Sequence, residues 1–593
     1  MKMKKSLMLS VAAVAGIAVL CWIAAAQAAR KDAKAMESEA RAVIDEYMAK
    51  YKPLDLGLRK AWYRYDTTGD KKASAEQAEL ELEIRKLSSD AERFARLKDL
   101  YKARQRIIDP LVRRQVEVLY LGHLPNQVPA DKLEKLTELE KRLEEGFNDY
   151  RAELNGKKLT PVDVAHILAE STDSATLEKV WKSQSKVGGV LEKDYRDVVK
   201  LRNEIARVLG YKNALELEAE VNEMSLEMLD KFYKDVANAT DEQFRKLKQE
   251  YIDPRLAERY GIKVGELQPW HYQNEFFQEA PTAIFGKVDL DSLYKGVDSK
   301  TVVDKTIDFY ASMGVDIQGI INNSSLYPAP GKNPHAVAWL LDPDRPGSSV
   351  LIMNLPKPPK PPKSSEASTL VHELAHDINY EAILANKQIP YLLREPTMLT
   401  EAFAMLMEGQ TETADWFTHL GVPVEKAKEA EGATDLINYV DQLIFLRWSA
   451  AIYCFERAFY GNPDADIGDT WWECREKNQF LARPANWKEP DALAKYHIPV
   501  VPPLYYSNYA IGRIANSSFA ALFDERVGAA GAKSFYGRRE LGDWLMKDFL
   551  AQGELYRWDE FIKQQTGKPF SMDAWKKRYI GSDAEKRLYA PTP

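Results

Sequence analysis

The sequence predicts a mainly α-helical protein with one small β-sheet, and three observations carry that expectation. From Asp32 to about Glu220, apolar residues recur at helical spacing, as in Leu80, Ile84 and Leu87 or Phe94, Leu97 and Tyr101, while charges fill the remaining faces. Strand-like alternation is concentrated around residues 335–353. His372 and His376 stand four residues apart, a spacing that puts both on one face of a helix.

Bulk properties narrow the class. Hydrophobic residues at 45% and charged residues at 29% are ordinary globular values for a chain of 593 residues. A net charge of −7 gives no basic field for nucleic acid. Residues 1–28 read as a signal peptide: Lys2, Lys4 and Lys5 precede an apolar stretch from about Leu7 to Ala26, and Ala26-Gln27-Ala28 fits a small-x-small cleavage site. The expectation is an exported protein, periplasmic or secreted, starting near Ala29. An uncleaved N-terminal anchor is the alternative. No later stretch has 18 apolar residues in a row, so the mature chain 29–593 carries no transmembrane span on this reading. Cys454 and Cys474 remain after processing, and a bridge and two buried thiols are both open. Nothing in the sequence fixes an oligomeric state.

The elements follow in order. Charge-rich amphipathic helices fill 29–220, punctuated by turns at Thr67-Thr68-Gly69-Asp70 and Asn155-Gly156. In the remainder, 221–593, His335–Leu341 reads as a strand, Asp342–Gly347 as a turn and Ser349–Met353 as a second strand. Such a small sheet offers an edge on which an extended peptide can lie. Pro356–Lys363 is polyproline-like and reads as a stiff connector. Ser364 and Ser365 supply capping hydroxyls, with Glu366 in the first turn, for a helix that stops before Pro390. Arg394-Glu395-Pro396-Thr397 opens the next helix, which carries Glu401 and ends near Gly409.

The chemistry lies on those two helices. His372-Glu373-Leu374-Ala375-His376 is followed 25 residues later by Glu401. Two imidazoles and one carboxylate make a three-ligand Zn²⁺ site with a fourth position open, the pattern of catalytic rather than structural zinc. Glu373, next to the first histidine, is placed to act as general base. The reading is a zinc hydrolase with one ion per chain. Other stretches gather uncommon side chains: Pro269–Gln273 with Gln278, Trp471–Arg475, Lys495–Pro499 and Tyr505–Tyr509. Singly, each reads as core packing. In a zinc hydrolase, a late Tyr or His that donates to an oxyanion is expected chemistry.

Together these stretches resemble the angiotensin-converting enzyme family, the M2 zinc peptidases. Ala61–Thr67, Val180-Trp181-Lys182 and Leu201–Ala206 look like its N-terminal signatures. His335-Ala336-Val337-Ala338-Trp339 matches its His-Ala-x-Ala-Trp strand, and Leu392–Glu395 with Glu401-Ala402 matches the segment of the third ligand. Trp471-Trp472 with Arg475 and Lys495–Pro499 follow in the same order. The resemblance implies a large helical gluzincin ellipsoid with a deep central gorge, a small sheet beside the zinc helix, and the N-terminal helices of 29–220 as a lid over the catalytic region 221–593.

It also implies roles. His372, His376 and Glu401 would hold zinc, with Glu373 as base. His335, Ala336 and Ala338 would grip the backbone of an oligopeptide. Lys495, Tyr506 and Gln278 would hold its C-terminal carboxylate. His497 and Tyr509 would donate to the tetrahedral intermediate or leaving group. The implied activity is that of a peptidyl-dipeptidase releasing C-terminal dipeptides. Three departures stand out. The chain is about three residues longer than the family between Pro499 and the tyrosines. Met405 replaces the aspartate that supports a ligand histidine. Asn508 replaces an arginine linked to chloride activation, which argues against chloride dependence. The stretch Tyr506–Gly512 also resembles the M3 oligopeptidases, which keeps an oligoendopeptidase as the alternative. A catalytically silent peptide-binding protein is a third reading, and the presence of Glu373 argues against it.

Overall fold

The computed structural model describes residues 2–285, 289–526 and 533–590, the side chains of 2–29 and 130 excepted. The signal-peptide reading of residues 1–28 lies outside the side chains so described. Helix dominates; among the described residues the sheets are two antiparallel strand pairs, and no helix is long and apolar enough to cross a membrane. The chain divides into two compact units.

The first unit is Met1–Tyr65, Asp70–Gln127 and Lys387–Arg394. Its helices Lys71–Ser88, Ala91–Lys102 and Pro110–His123 each start at an aspartate. Asp70, Asp90 and Asp109 accept from the backbone N–H groups of Lys72, Arg93 and Leu111, each at 2.9 Å. The stripe containing Leu97 faces inward, where Leu97, Leu100, Val112 and Val116 pack on Ala40, Val43 and Ile44. Leu80, Ile84 and Leu87 are only half-buried, because Lys71–Ser88 lies on the outside of that core.

The second unit is Asp66–Gly69, Val128–Asn386 and Glu395–Pro593. Asn155 and Gly156, at φ 53° and 82°, make the two-residue turn between Leu154 and its partner Lys157. Two central residues at positive φ give a turn of the I′ kind, whose twist matches that of so tight a hairpin. The centre of the unit is the long helix Val424–Gly461, against which Leu226–Lys246, Ile467–Gln479 and Tyr505–Arg526 pack. A disulfide joins Cys454 to Cys474, tying the long helix to Ile467–Gln479 and settling the open reading of these cysteines. Several residues of the N-terminal signatures turn out to be structural. Asn203 donates to Tyr460 O (2.8 Å) and accepts from Ala214 N (2.9 Å), and the Trp181 indole donates to Glu275 O (2.9 Å). The Trp471 and Trp472 indoles both donate to buried Asp491.

The hairpin near the metal motif is shorter than the sequence suggests. Its strands are Val337–Leu340 and Ser349–Ile352, with Ala338 opposite Leu351. His335 does not open the strand: the Asn333 side chain accepts its N–H (3.0 Å), an Asx turn that bends the chain just before it. Met353 leaves the ladder because its N–H donates to Ser325 O (2.8 Å) instead. The connector 356–363 is docked, with Lys360 O accepting from Ser299 N at 3.1 Å.

The two motif helices also start differently from expectation. The first is Ser364–Ala385, and its N-terminal N–H of Lys363 is taken by Glu366 (2.7 Å). Ser364 lies inside the first turn, and its hydroxyl donates to Asp291 rather than capping. The second is Thr400–Glu408, beginning after Pro396 rather than at Arg394–Thr397. The residue before a proline is driven out of the helical region, and Thr397 closes a turn on Leu399 and Thr400 that delays the helix.

Candidate metal centre and peptide site

All of the site described here lies within the second unit. On the first motif helix, the Nε2 atoms of His372 and His376 are 3.3 Å apart. Glu401 places one carboxylate oxygen 3.5 Å from His372 Nε2 and the other 3.4 Å from His376 Nε2. The three residues thus present ligand atoms all within 4.8 Å of one another.

The opposite ring nitrogens are both engaged as donors, which leaves Nε2 as the nitrogen that each histidine turns to the cluster. Buried Asn379 donates to Leu550 O (3.0 Å), which fixes its amide so that its oxygen accepts from the Thr400 hydroxyl (3.1 Å). With its proton committed there, Thr400 accepts from His376 Nδ1–H at 2.9 Å. The Glu408 carboxylate, which can only accept, takes His372 Nδ1–H at 3.0 Å. Both imidazoles therefore carry a proton on Nδ1, as a ligand histidine must to bind through Nε2. Burial alone would lower the pKa of His372, but hydrogen bonds to Glu401 and Glu408 outweigh it and raise it to about 10, so the two carboxylates favour positive charge at this imidazole, whereas burial lowers His376 to about 4. The surroundings stabilise a positive charge between these residues. Two imidazoles and a carboxylate around that charge fit Zn²⁺.

Glu373 lies between the ligands, facing the hairpin. Its carboxylate accepts the Ala338 N–H at 2.9 Å, and burial raises its pKa. Two further acids follow at successive helical turns. Asp377 accepts from the Ser349 hydroxyl, and Glu381 accepts the N–H groups of Gly347 (2.7 Å) and Ser349 (3.0 Å). The carboxylates at 373, 377 and 381 thus clamp the hairpin onto the helix. Their four-residue period was present in the sequence and went unread.

A second cluster forms around Lys495. Its ammonium donates to Gln278 Oε1 at 2.7 Å and lies 5.8 Å from the Tyr506 ring centre. Gln278 in turn donates to Glu279 (3.0 Å). Burial lowers the Lys495 pKa, opposed by the nearby carboxylates of Glu275 and Glu279. Burial pushes Glu275 itself up to about 8 and Tyr506 to about 12. His497 stacks on Tyr505 (5.2 Å) and meets the Tyr506 ring edge-on (5.5 Å); burial and then Lys495 lower its pKa to about 4, so it is neutral at pH 7. Its Nδ1 is buried without a hydrogen-bond partner among the described residues.

Tyr509 completes the arrangement. Its hydroxyl is 3.1 Å from that of Tyr505, and burial, Tyr505 and the Glu401 carboxylate all raise its pKa. Tyr506 and Tyr509 begin the same helix, so the first reaches Lys495 while the second feels the charge of a candidate metal ligand. His335 stands exposed at the bend, Ala336 is half-buried and Ala338 is buried with its N–H already engaged. Met405 points toward the tyrosine helix, its Cε 3.6 Å from where a Cβ on Gly512 would lie. Asn508 donates weakly to Asn222 (3.5 Å), a neutral contact. Sequence reading missed Thr400, Asn379, Glu408 and Glu275, and named Tyr505 only as part of the tyrosine cluster. Helical spacing from Glu401 could have flagged Glu408; the link through Leu550 could not have been found.

Residues 34–316 match the family model described as angiotensin-converting enzyme, peptidase M2. The matched stretch ends before the hairpin and the metal helix, so the match and the ligand geometry are observations on different parts of the chain. No curated protein matches the sequence.

Proposed function

We propose that the chain, which residues 34–316 place with the angiotensin-converting enzyme family of metallopeptidases, is a zinc-dependent peptidyl-dipeptidase that releases C-terminal dipeptides from oligopeptides. His372, His376 and Glu401 would hold the ion. When bound, zinc supplies Lewis acidity, polarising a carbonyl and acidifying a water. Glu373 accepts the proton of the attacking water and delivers it to the leaving amine, and the Ala338 N–H keeps its carboxylate aimed. Tyr509 donates its hydroxyl hydrogen bond to the oxyanion of the tetrahedral intermediate, with neutral His497 donating beside it. His335, Ala336 and Ala338 line the edge along which the peptide backbone lies.

The observation that carries the dipeptidase reading is Lys495. A half-buried ammonium beside Gln278 and Tyr506 is a ready partner for a substrate's terminal carboxylate. A fixed anchor makes the enzyme measure from the C-terminus. Mass spectrometry of the products from one peptide as free acid and as C-terminal amide tests this. Stepwise release of dipeptides from the acid, with the amide cut far more slowly, is expected. Internal cuts at varied distances with equal rates for both forms overturn it and favour an oligoendopeptidase.

We place the protein outside the cytoplasm, on the leader-like residues 1–28. The Cys454–Cys474 bridge supports this, since such bonds persist in oxidising compartments. N-terminal sequencing of the protein from fractionated cells should begin near Ala29; an intact Met1 in the membrane fraction would point to an anchor.

A further inference from the structure

We propose that Glu408 positions His372 for metal binding and sets the zinc affinity of the site, a task for which the side chain at 405 is not available. The inference rests on the zinc reading above. Glu408 lies seven residues after Glu401, two turns along the same helix and so on the same face. Its two oxygens are divided. One accepts His372 Nδ1–H at 3.0 Å, and the other accepts the Ser368 hydroxyl at 2.9 Å. Ser368 and His372 are themselves one turn apart on the other motif helix. A single carboxylate therefore grips two successive turns of the helix that supplies two ligands, from the helix that supplies the third. It fixes the spacing of the two helices as well as the rotation of one imidazole.

The two ligand histidines are oriented by different chemistry. His376 donates to a neutral hydroxyl, Thr400, whereas His372 donates to an anion. An anionic acceptor on Nδ1 makes Nε2 a stronger donor to a metal and fixes the tautomer. Met405, facing Gly512, contributes apolar packing instead.

The test is the zinc dissociation constant, measured by competition with a chelator of known affinity. Wild type, Glu408→Gln and Glu408→Ala are compared, with the melting temperature of each metal-free protein alongside. Loss of an outer carboxylate of this kind typically costs 10- to 100-fold in metal affinity. Glu408→Ala should fall in that range, and Glu408→Gln, which keeps an acceptor oxygen but no charge, near its lower end. A merely structural residue would lower the metal-free melting temperature and leave the zinc constant alone. If Glu408→Ala does not fold, the near-isosteric Glu408→Gln decides. Zinc binding within twofold of wild type in Glu408→Gln overturns the inference. Failure of the wild type itself to bind zinc sinks the zinc reading instead, so the two failures are distinguishable.

Discussion

At the metal end of the site, His372, His376 and Glu401 come from two helices joined by residues 386–399, and the ring nitrogens of both histidines facing away from the ligand cluster have partners, Glu408 and Thr400. At the carboxylate end, Lys495 meets Gln278 across 217 residues of sequence. There, the Glu275 Oε1 and His497 Nδ1 atoms are buried without a hydrogen-bond partner among the described residues. Buried polar atoms in native proteins are nearly all paired. The difference is one of preorganisation. On the proposed function, the two ligand histidines of the metal end are preoriented by these hydrogen bonds, while the carboxylate end would complete its pairing on a bound peptide. Catalysis should therefore depend steeply on the first and substrate choice on the second.

That contrast can be broken at either end. The largest effect should come from removing metal. Dialysis against a chelator should abolish peptide hydrolysis and stoichiometric zinc should restore it; activity that survives with no metal detected would remove the premise of the metal end. Glu373→Gln comes next, with an expected loss of about 10²–10⁴ in kcat at unchanged zinc content. Retention of more than about a tenth of wild-type kcat/KM, a barrier change under roughly 1.4 kcal/mol, would show that Glu373 is not the base. Tyr509→Phe removes one oxyanion donor and should cost about 10²–10³ in kcat with little change in KM. A KM effect alone would move Tyr509 from the reacting centre to substrate binding.

The carboxylate end should respond more weakly and more selectively. Lys495→Ala should lower kcat/KM for a free-acid peptide by about 2–3 kcal/mol, the value of hydrogen bonds to charged groups, and leave the amidated peptide nearly untouched. Equal losses on both peptides would mean that Lys495 shapes the pocket without contacting the carboxylate. Gln278→Ala is the mildest change. It removes a neutral donor to the same carboxylate, a hydrogen bond at the low end of the range for charged partners, about 1.5 kcal/mol, so a roughly tenfold loss on the free acid is expected. A larger loss than that of Lys495→Ala would invert the assumed order of the two residues.

Much of the metal end was legible in the sequence because its spacing is short-range. Residues four apart on a helix share a face whatever surrounds them, so His372 and His376 announce themselves, and Glu401 follows on the next helix. The helix starts were less legible. Ser364 offered a capping hydroxyl, yet Asp291 takes it, and Pro396 with Thr397 delays the second helix to Thr400. His335 was drawn into a strand by its neighbours' pattern and is held out of it by Asn333. In each case a side chain competes locally with regular backbone pairing.

What the sequence determined by itself is the helical class, the hairpin and the His-Glu-x-x-His motif with its third carboxylate, since all depend on periodicities of a few residues. Only the tertiary structure decided the rest. It brought Lys495 to Gln278, and it turned Tyr506 toward Lys495 while Tyr509 came under the charge of Glu401. It bridged Cys454 to Cys474, and it gave His372 to Glu408 rather than to a residue at 405. These pairings join groups far apart in the chain or choose among rival partners on one helix. Their energies come from desolvation and from the exclusion of competing water, which exist only once the helices have packed.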